Sequence, residues 1–217
     1  MTIDARRQVS RDLVTAWVRG WTVARKVAPP VEIPGGLRVD VRSPKERVRN
    51  VLFALEPARI RELVATETEP PVSIKVCAEV AELAPYLSDR WALHEQRYLM
   101  TLPLTATQDR RELPNGYNLS LRQNGSVVTA SIRAGFGHPA AIGRVAITVP
   151  FAIIDDVETS QAHRRRGLGT LIMTALNRVA AEAGAATGLL VATPDGHALY
   201  ASVGWQVHTP YASAYLA

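Results

Sequence analysis

A chain of 217 residues, 47% hydrophobic and 21% charged, is long enough for one large or two small packed units, and no apolar run in it approaches a membrane span. Its 25 basic against 20 acidic residues give a net charge of +5, a small excess that does not favour nucleic acid as partner. A single cysteine, Cys77, excludes an intramolecular disulfide and a cysteine-rich metal site, and the stretch 1–7 leads into no signal-like apolar segment, so the cytoplasm is the expected compartment.

In chain order, Leu13, Val14, Trp17 and Val18 share one helical stripe and predict a helix within 1–27 that ends before Pro29-Pro30. A turn-rich linker through Pro34-Gly35-Gly36 follows. Residues 37–41 alternate as a strand, Ser43-Pro44 resembles an N-cap with proline in the first turn, and 45–55 is expected to be helical, restarting at Pro57 toward Val64. Residues 72–77 predict a strand, 79–87 a short helix, Trp91 an anchor, and 98–104 another strand. The polar, turn-rich segment 108–116 is the expected boundary between a region at 1–107 and one at 108–217. Beyond it, 117–122, 127–133 and 142–149 predict antiparallel strands, with turns at Asn124-Gly125 and 135–139.

The most informative stretch comes next. Residues 151–159 predict a strand entered at Pro150, followed by His163-Arg164-Arg165-Arg166-Gly167-Leu168-Gly169-Thr170. Leu168, Leu171, Ile172, Ala175, Leu176 and Val179 then recur at helical spacing, and Gly184 supplies the stop. A helix N-terminus exposes unpaired N–H groups and partial positive charge, so glycines and arginines there form a phosphate cradle. No P-loop string occurs, and the dinucleotide pattern G-x-G-x-x-G fails at its third glycine, which is Ile172. Residues 188–193 read as a buried, parallel-type strand and 195–202 as a short helix closed by Gly204.

Two strings in this order, Arg164-x-x-Gly167-x-Gly169 and Leu199-Tyr200 followed by Gly204-Trp205, make the chain resemble the GCN5-related N-acetyltransferases (GNAT superfamily). The resemblance is specific over 143–217 and weaker over 113–142. It implies an α/β fold with a mixed sheet, in which the C-terminal half is a GNAT-like acyl-CoA N-acyltransferase unit. It also implies that Arg164, Arg165, Arg166, Gly167, Leu168, Gly169 and Thr170 hold the acetyl-CoA pyrophosphate. The backbone of Val157, Glu158 and Thr159 would bond the pantetheine arm, and Tyr200 would protonate the departing sulfur. A phenol with an ordinary pKa near ~10 is protonated at neutral pH and suits that role. The implied activity is acetyl transfer to a primary amine by direct attack in a ternary complex, and the alternative is an acyl-CoA-binding regulatory or interaction module without turnover.

Candidates for taking the amine proton are Asp155, Asp156 and Glu158, unless these are only solvated strand-end carboxylates. Alternation puts Asp156 and Glu158 on one face, and Asp155 with Val157 on the other. His163 is expected to flank the phosphates, Cys77 to be packed in the interior, and no His or carboxylate spacing resembles a metal site. The acceptor, a small-molecule or peptide amine, is not named by any residue. The family usually places two helices after its first strand, whereas only residues 123–126 separate the first two strands here, so the N-terminal half is a candidate for the missing acceptor wall. That half repeats the order strand, helix, strand, short helix, aromatic, strand. A degenerate GNAT-like copy and coincidence both remain open. In either case its corresponding turn, Arg42-Ser43-Pro44-Lys45, lacks glycines and should hold no CoA pyrophosphate.

Overall fold

A computed structural model of the protein describes residues 10–105, 112–135 and 138–216. Part of the expected N-terminal stretch (1–9), part of the expected boundary (108–111) and two positions of the 135–139 turn (136 and 137) lie outside the described residues.

Helix α1 (Arg11–Arg25) starts where the Ser10 hydroxyl accepts from the Leu13 N–H at 3.4 Å and ends at Lys26 in the left-handed conformation. Its Val14, Trp17, Val18 and Trp21 are buried as one stripe. Strands β1 (Val31–Ile33), β2 (Gly36–Ser43) and β3 (Glu46–Leu52) follow as consecutive antiparallel neighbours. The helix expected at 45–55 is therefore corrected to strand β3. Val48, Val51, Leu52 and Leu55 do fall at helical spacing, but Val51 packs beneath α1 while Val48 and Leu52 pack on the opposite face. A strand buried on both faces loses its period-2 signature, and pairing with neighbours on both edges outweighs the local pattern. Arg42 to Lys45 is accordingly a β2–β3 hairpin turn. The strand-to-helix junction of this half is 53–56, which is equally free of glycine.

Helix α2 (Pro57–Thr66) begins with Pro57 in its first turn and is separate rather than a continuation. Then come β4 (Val72–Val76), α3 (Val80–Leu83) with a Glu79–Glu82 capping box and a 3-10 turn, β5 (Trp91–Leu93) and β6 (Arg97–Pro103). The remaining strands and helices are β7 (Tyr117–Asn124), β8 (Val127–Ala134), β9 (Pro139–Thr148), β10 (Phe151–Thr159), α4 (Leu168–Glu182), β11 (Thr187–Ala192), α5 (Pro194–Ser202) and β12 (Gln206–Leu216).

The strands form one mixed sheet in the order β1-β2-β3-β4-β12-β6-β11-β10-β9-β8-β7, with β5 alongside β12. Its pairing reads alike from both ends. β3 and β4 are parallel, joined through α2, and flanked by antiparallel β2 and β12; β10 and β11 are parallel, joined through α4, and flanked by antiparallel β9 and β6. The closing strands are exchanged: β6, early in the chain, pairs with β11, while β12, at its end, pairs with β4 and β6. Helix α4 covers β8, β9 and β10 on one face, and α1 lies across the seam on the other, where Trp17, Val18 and Trp21 join Leu37, Val51, Leu99, Ile153 and Leu189 in one core. Among the described residues, no helix is long and apolar enough to cross a membrane.

Candidate active site

β10 and β11 are paired from Phe151–Thr187 to Ile153–Leu189 and then diverge, while β10 stays bonded to β9 out to Thr159. The divergence coincides with a β-bulge between Asp155 and Glu158, in which Asp156 adopts φ 59°. Strict alternation ends at the bulge, which corrects the face assignment above. Asp155, Asp156 and Val157 all line the opening, and Glu158 is exposed on the rim outside it. Backbone groups of β10 past Ile153 thus have no β11 partner, and beyond the left-handed Asp156 the strand edge is one that a second extended chain could match.

The basic loop lies just beyond Thr159, whose carbonyl accepts from Arg164 Nε at 3.3 Å. Arg166 Nη1 donates to the Tyr117 hydroxyl at 3.1 Å, and that hydroxyl lies 2.7 Å from His163 Nδ1. Gly167 is the N-cap of α4 at φ 75°, and no side chain caps the helix, so its first N–H groups face outward. At Gly169 the constraint is crowding rather than conformation. A Cβ there would lie 3.0 Å from Leu199 Cδ2 and 3.5 Å from Thr159 Oγ1. The Leu199-Tyr200 pair is therefore linked physically to the glycine loop. Trp205, whose backbone N–H donates to the Tyr200 carbonyl at 3.1 Å, closes α5, and its ring fills the space over Gly188.

Tyr200 reaches the cavity at the mouth of the divergence, where burial pushes its phenol up to about 12 and the Asp155 charge adds to the shift. Asp155 is gripped by the Arg25 guanidinium through Nε (2.5 Å) and Nη2 (3.1 Å); Asp156 receives Arg25 Nη2 at 3.4 Å and Arg144 Nη2 at 2.6 Å. Burial opposes the charge on Arg25, but Asp155, Asp156 and Glu46 outweigh it and hold the guanidinium above its ordinary value.

The cavity, about 790 Å³, runs from this mouth under α1 to the inner faces of β3, β4, β6 and β12. Its far wall was not anticipated. Glu46 takes Arg49 bidentately (3.0 and 2.5 Å) and accepts from the Ser73 hydroxyl, and Arg49 stacks 3.6 Å over the Trp21 ring. Lys75 Nζ lies 3.9 Å from Glu46 and donates to the Tyr215 hydroxyl; burial, with Arg49 beside it, pulls Lys75 well down. Cys77 is buried at 8% exposure, and burial pushes its thiol up to about 12, which suits packing rather than nucleophilic chemistry. The structure thus brings Asp155, Val157 and Tyr200 together around one cavity; Thr159 and 164–170 do not line it and are tied to it through Leu199, which meets Gly169 and precedes Tyr200, while Glu158 lies outside.

The family model described as "Acetyltransferase (GNAT) family" matches residues 82–205. Among solved structures, a GCN5-related N-acetyltransferase from Kribbella flavida is similar at 15% identity, covering 95% of this chain and 96% of its own, with a TM-score of 0.66. A tandem GNAT protein from the clavulanic acid biosynthesis pathway is similar at 15% identity, 96% and 97% coverage and TM-score 0.56. A GCN5-related N-acetyltransferase-like protein from Streptococcus suis gives 11% identity, 88% and 85% coverage and TM-score 0.56.

Proposed function

The chain belongs to the acetyltransferase (GNAT) family, and from that premise we propose that it transfers an acetyl group from acetyl-CoA to a primary amine by direct attack in a ternary complex. One observation carries the reading. An uncapped helix N-terminus, held close to Thr159 and Leu199 by Gly169, stands where the β10–β11 divergence opens into a cavity containing Tyr200.

These residues fit an acyl-CoA. The N–H groups of Leu168, Gly169 and Thr170, with Arg164, Arg165 and Arg166 around them, would hold the pyrophosphate. Unpaired backbone at Val157, Glu158 and Thr159 would align the pantetheine arm, and the bound thioester would supply the acetyl group. Asp155, on the cavity side of the bulge, is the carboxylate placed to face the amine and take its proton, directly or through water. Tyr200, neutral because burial holds its proton, would donate to the departing sulfur. The tandem GNAT architecture of one of the similar proteins suits the repeated pairing pattern. We read the N-terminal half as a second GNAT-like unit in which β3 and β4 stay paired to their ends and no glycine loop precedes α2, so one half holds the donor and the other walls the acceptor.

The test combines binding and turnover. Acetyl-CoA at a hundred times its Kd should stabilise the protein by about 2.7 kcal/mol, a rise of roughly 5–10 °C in Tm, and Gly169→Asp should abolish that rise. Release of CoA thiol across an amine library should identify an acceptor. An unchanged rise in Gly169→Asp would remove the loop from the donor site.

A further inference from the structure

The far wall of the cavity contains hydrogen-bonding capacity that the protein does not use. Tyr211 and Arg97 are directly opposed on β12 and β6, and Ser213 is opposed to Lys75 on β4, so their side chains share the face turned to the cavity. Among the described residues, Tyr211 Oη, Ser213 Oγ and Arg97 Nε are all buried without a partner. Tyr211 and Ser213 are each only 1% exposed. Orphaned polar atoms of this kind are costly, and three on one wall of a cavity point to a ligand that completes them.

The available groups also fix the sign of that ligand. Glu46, the acid on this wall, is already committed to Arg49, Ser73 and Lys75, whereas Arg97 has no ion pair among the described residues. The remaining valence consists of donors with surplus positive charge. Two neighbouring groups register the same field: His94 and Lys75 are both pulled down, first by burial and then by nearby cations. At the opposite end, Asp155, paired with Arg25, and Asp156, paired with Arg25 and Arg144, face the cavity from the bulge.

Building on the acyltransferase reading, we infer that the acceptor is an amino carboxylate, with its carboxylate seated on Arg97, Tyr211 and Ser213 and its amine directed to Asp155. The carboxylate end of such a molecule matches the unpartnered donors of the far wall, and its amine end reaches the mouth, where Asp155 and Asp156 share Arg25 and Arg144. A bidentate or fork-type carboxylate contact with Arg97 satisfies Nε, and the two hydroxyls donate to the remaining lone pairs. The exchanged strand β12 thereby contributes Tyr211 and Ser213, so the acceptor site exists only when both halves of the chain are assembled.

The experiment measures CoA release from acetyl-CoA with a series of α- and ω-amino carboxylates, each paired with its own methyl ester and its decarboxylated amine. In the wild-type protein kcat/KM for at least one acid should exceed that for its ester by about tenfold or more. The acid-to-ester ratio should collapse toward unity in Arg97→Gln and fall in Tyr211→Phe, which keeps the ring against Trp17 and so guards against a folding defect. Turnover of esters or simple amines as fast as the acids overturns the inference. So does a protein whose Tm rises with acetyl-CoA but which acetylates no member of the series, and in that case the donor reading stands. Absence of any acetyl-CoA response overturns the donor reading and this inference together.

Discussion

Tyr200 shows how a local environment fixes the protonation state of a side chain. With its phenol pushed up to about 12 by burial and then by Asp155, it keeps its proton across the physiological range and stands ready as a donor toward the departing sulfur, although the same shift makes it a weaker acid than an ordinary phenol. Tyr200→Phe is expected to lower kcat by roughly 10²-fold or more while preserving the acetyl-CoA-induced rise in Tm; full turnover at neutral pH would exclude the proton-donor role. Glu46 makes the complementary case on the far wall. Burial opposes its charge, but Arg49, Lys75 and Ser73 outweigh it and hold the carboxyl below its usual range. A lowered folded-state pKa means that its contribution is complete above the unfolded value and is lost as pH falls through the folded one. Glu46→Gln should cost about 3 kcal/mol at pH 7, as expected when one partner of a buried pair is removed; in thermal scans the difference should persist at about pH 5 and close only below about pH 4, as the lowered folded-state value is passed. At this scale the basic glycine loop was legible because glycine is favoured locally, by φ 75° at Gly167 and by the crowding of Leu199 at Gly169. The far wall was not legible. Glu46, Arg49 and Lys75 look like surface charges until strands separated in sequence bring them under α1.

Elements carry the site through two devices, a bulge and a helix pressed tightly onto the sheet. The bulge in β10 turns three consecutive residues toward one opening, which no period-2 reading of 151–159 could reveal. Helix α1 delivers Trp17, Trp21 and Arg25 to the cavity and is pressed onto the sheet at Gly20, where a Cβ would lie 2.3 Å from Ile153 Cδ1 and 3.1 Å from its Cβ. Gly20→Leu should therefore lower the urea midpoint by the equivalent of about 1–3 kcal/mol, whereas Val23→Ala, on the outer side of the same helix, should stay within about 0.5 kcal/mol. A Gly20→Leu protein of wild-type stability would show that α1 is loosely seated. The stripe of α1 and the strands at 72–76 and 187–192 were readable because each has one dominant environment. β3 imitated a helix because both of its faces are covered. β12 escaped notice because Thr209, Ser213 and Pro210 dilute its apolar pattern, and a register shift between Val207 and Thr209 breaks its alternation.

At the level of the whole molecule, the exchange of closing strands decides whether the two halves are independent. β11 has β6 as its antiparallel neighbour, and β12 spans from β6 to β4, so separating the chain within 106–111 would strip each half of a strand from its own sheet. Each half would then expose a long unpaired edge together with the Leu99, Ile153, Leu189 and Tyr211 surface that α1 covers across the seam. Cooperative unfolding follows from this arrangement, since neither half can open without breaking hydrogen-bonded ladders of the other. Tryptophan reports on both sides: Trp91 is buried in the core of β3, β4 and β12, and Trp205 in the core beneath α4. Urea transitions of the unaltered protein followed by tryptophan emission and by far-UV circular dichroism should coincide in midpoint and m-value, and a fragment of residues 112–217 should fail to give a cooperative transition. Two separated midpoints, or a folded 112–217 fragment that binds acetyl-CoA, would instead mean that the donor unit stands alone. The proposed acceptor wall would then be an accessory to an already complete enzyme, rather than half of one built by strand exchange.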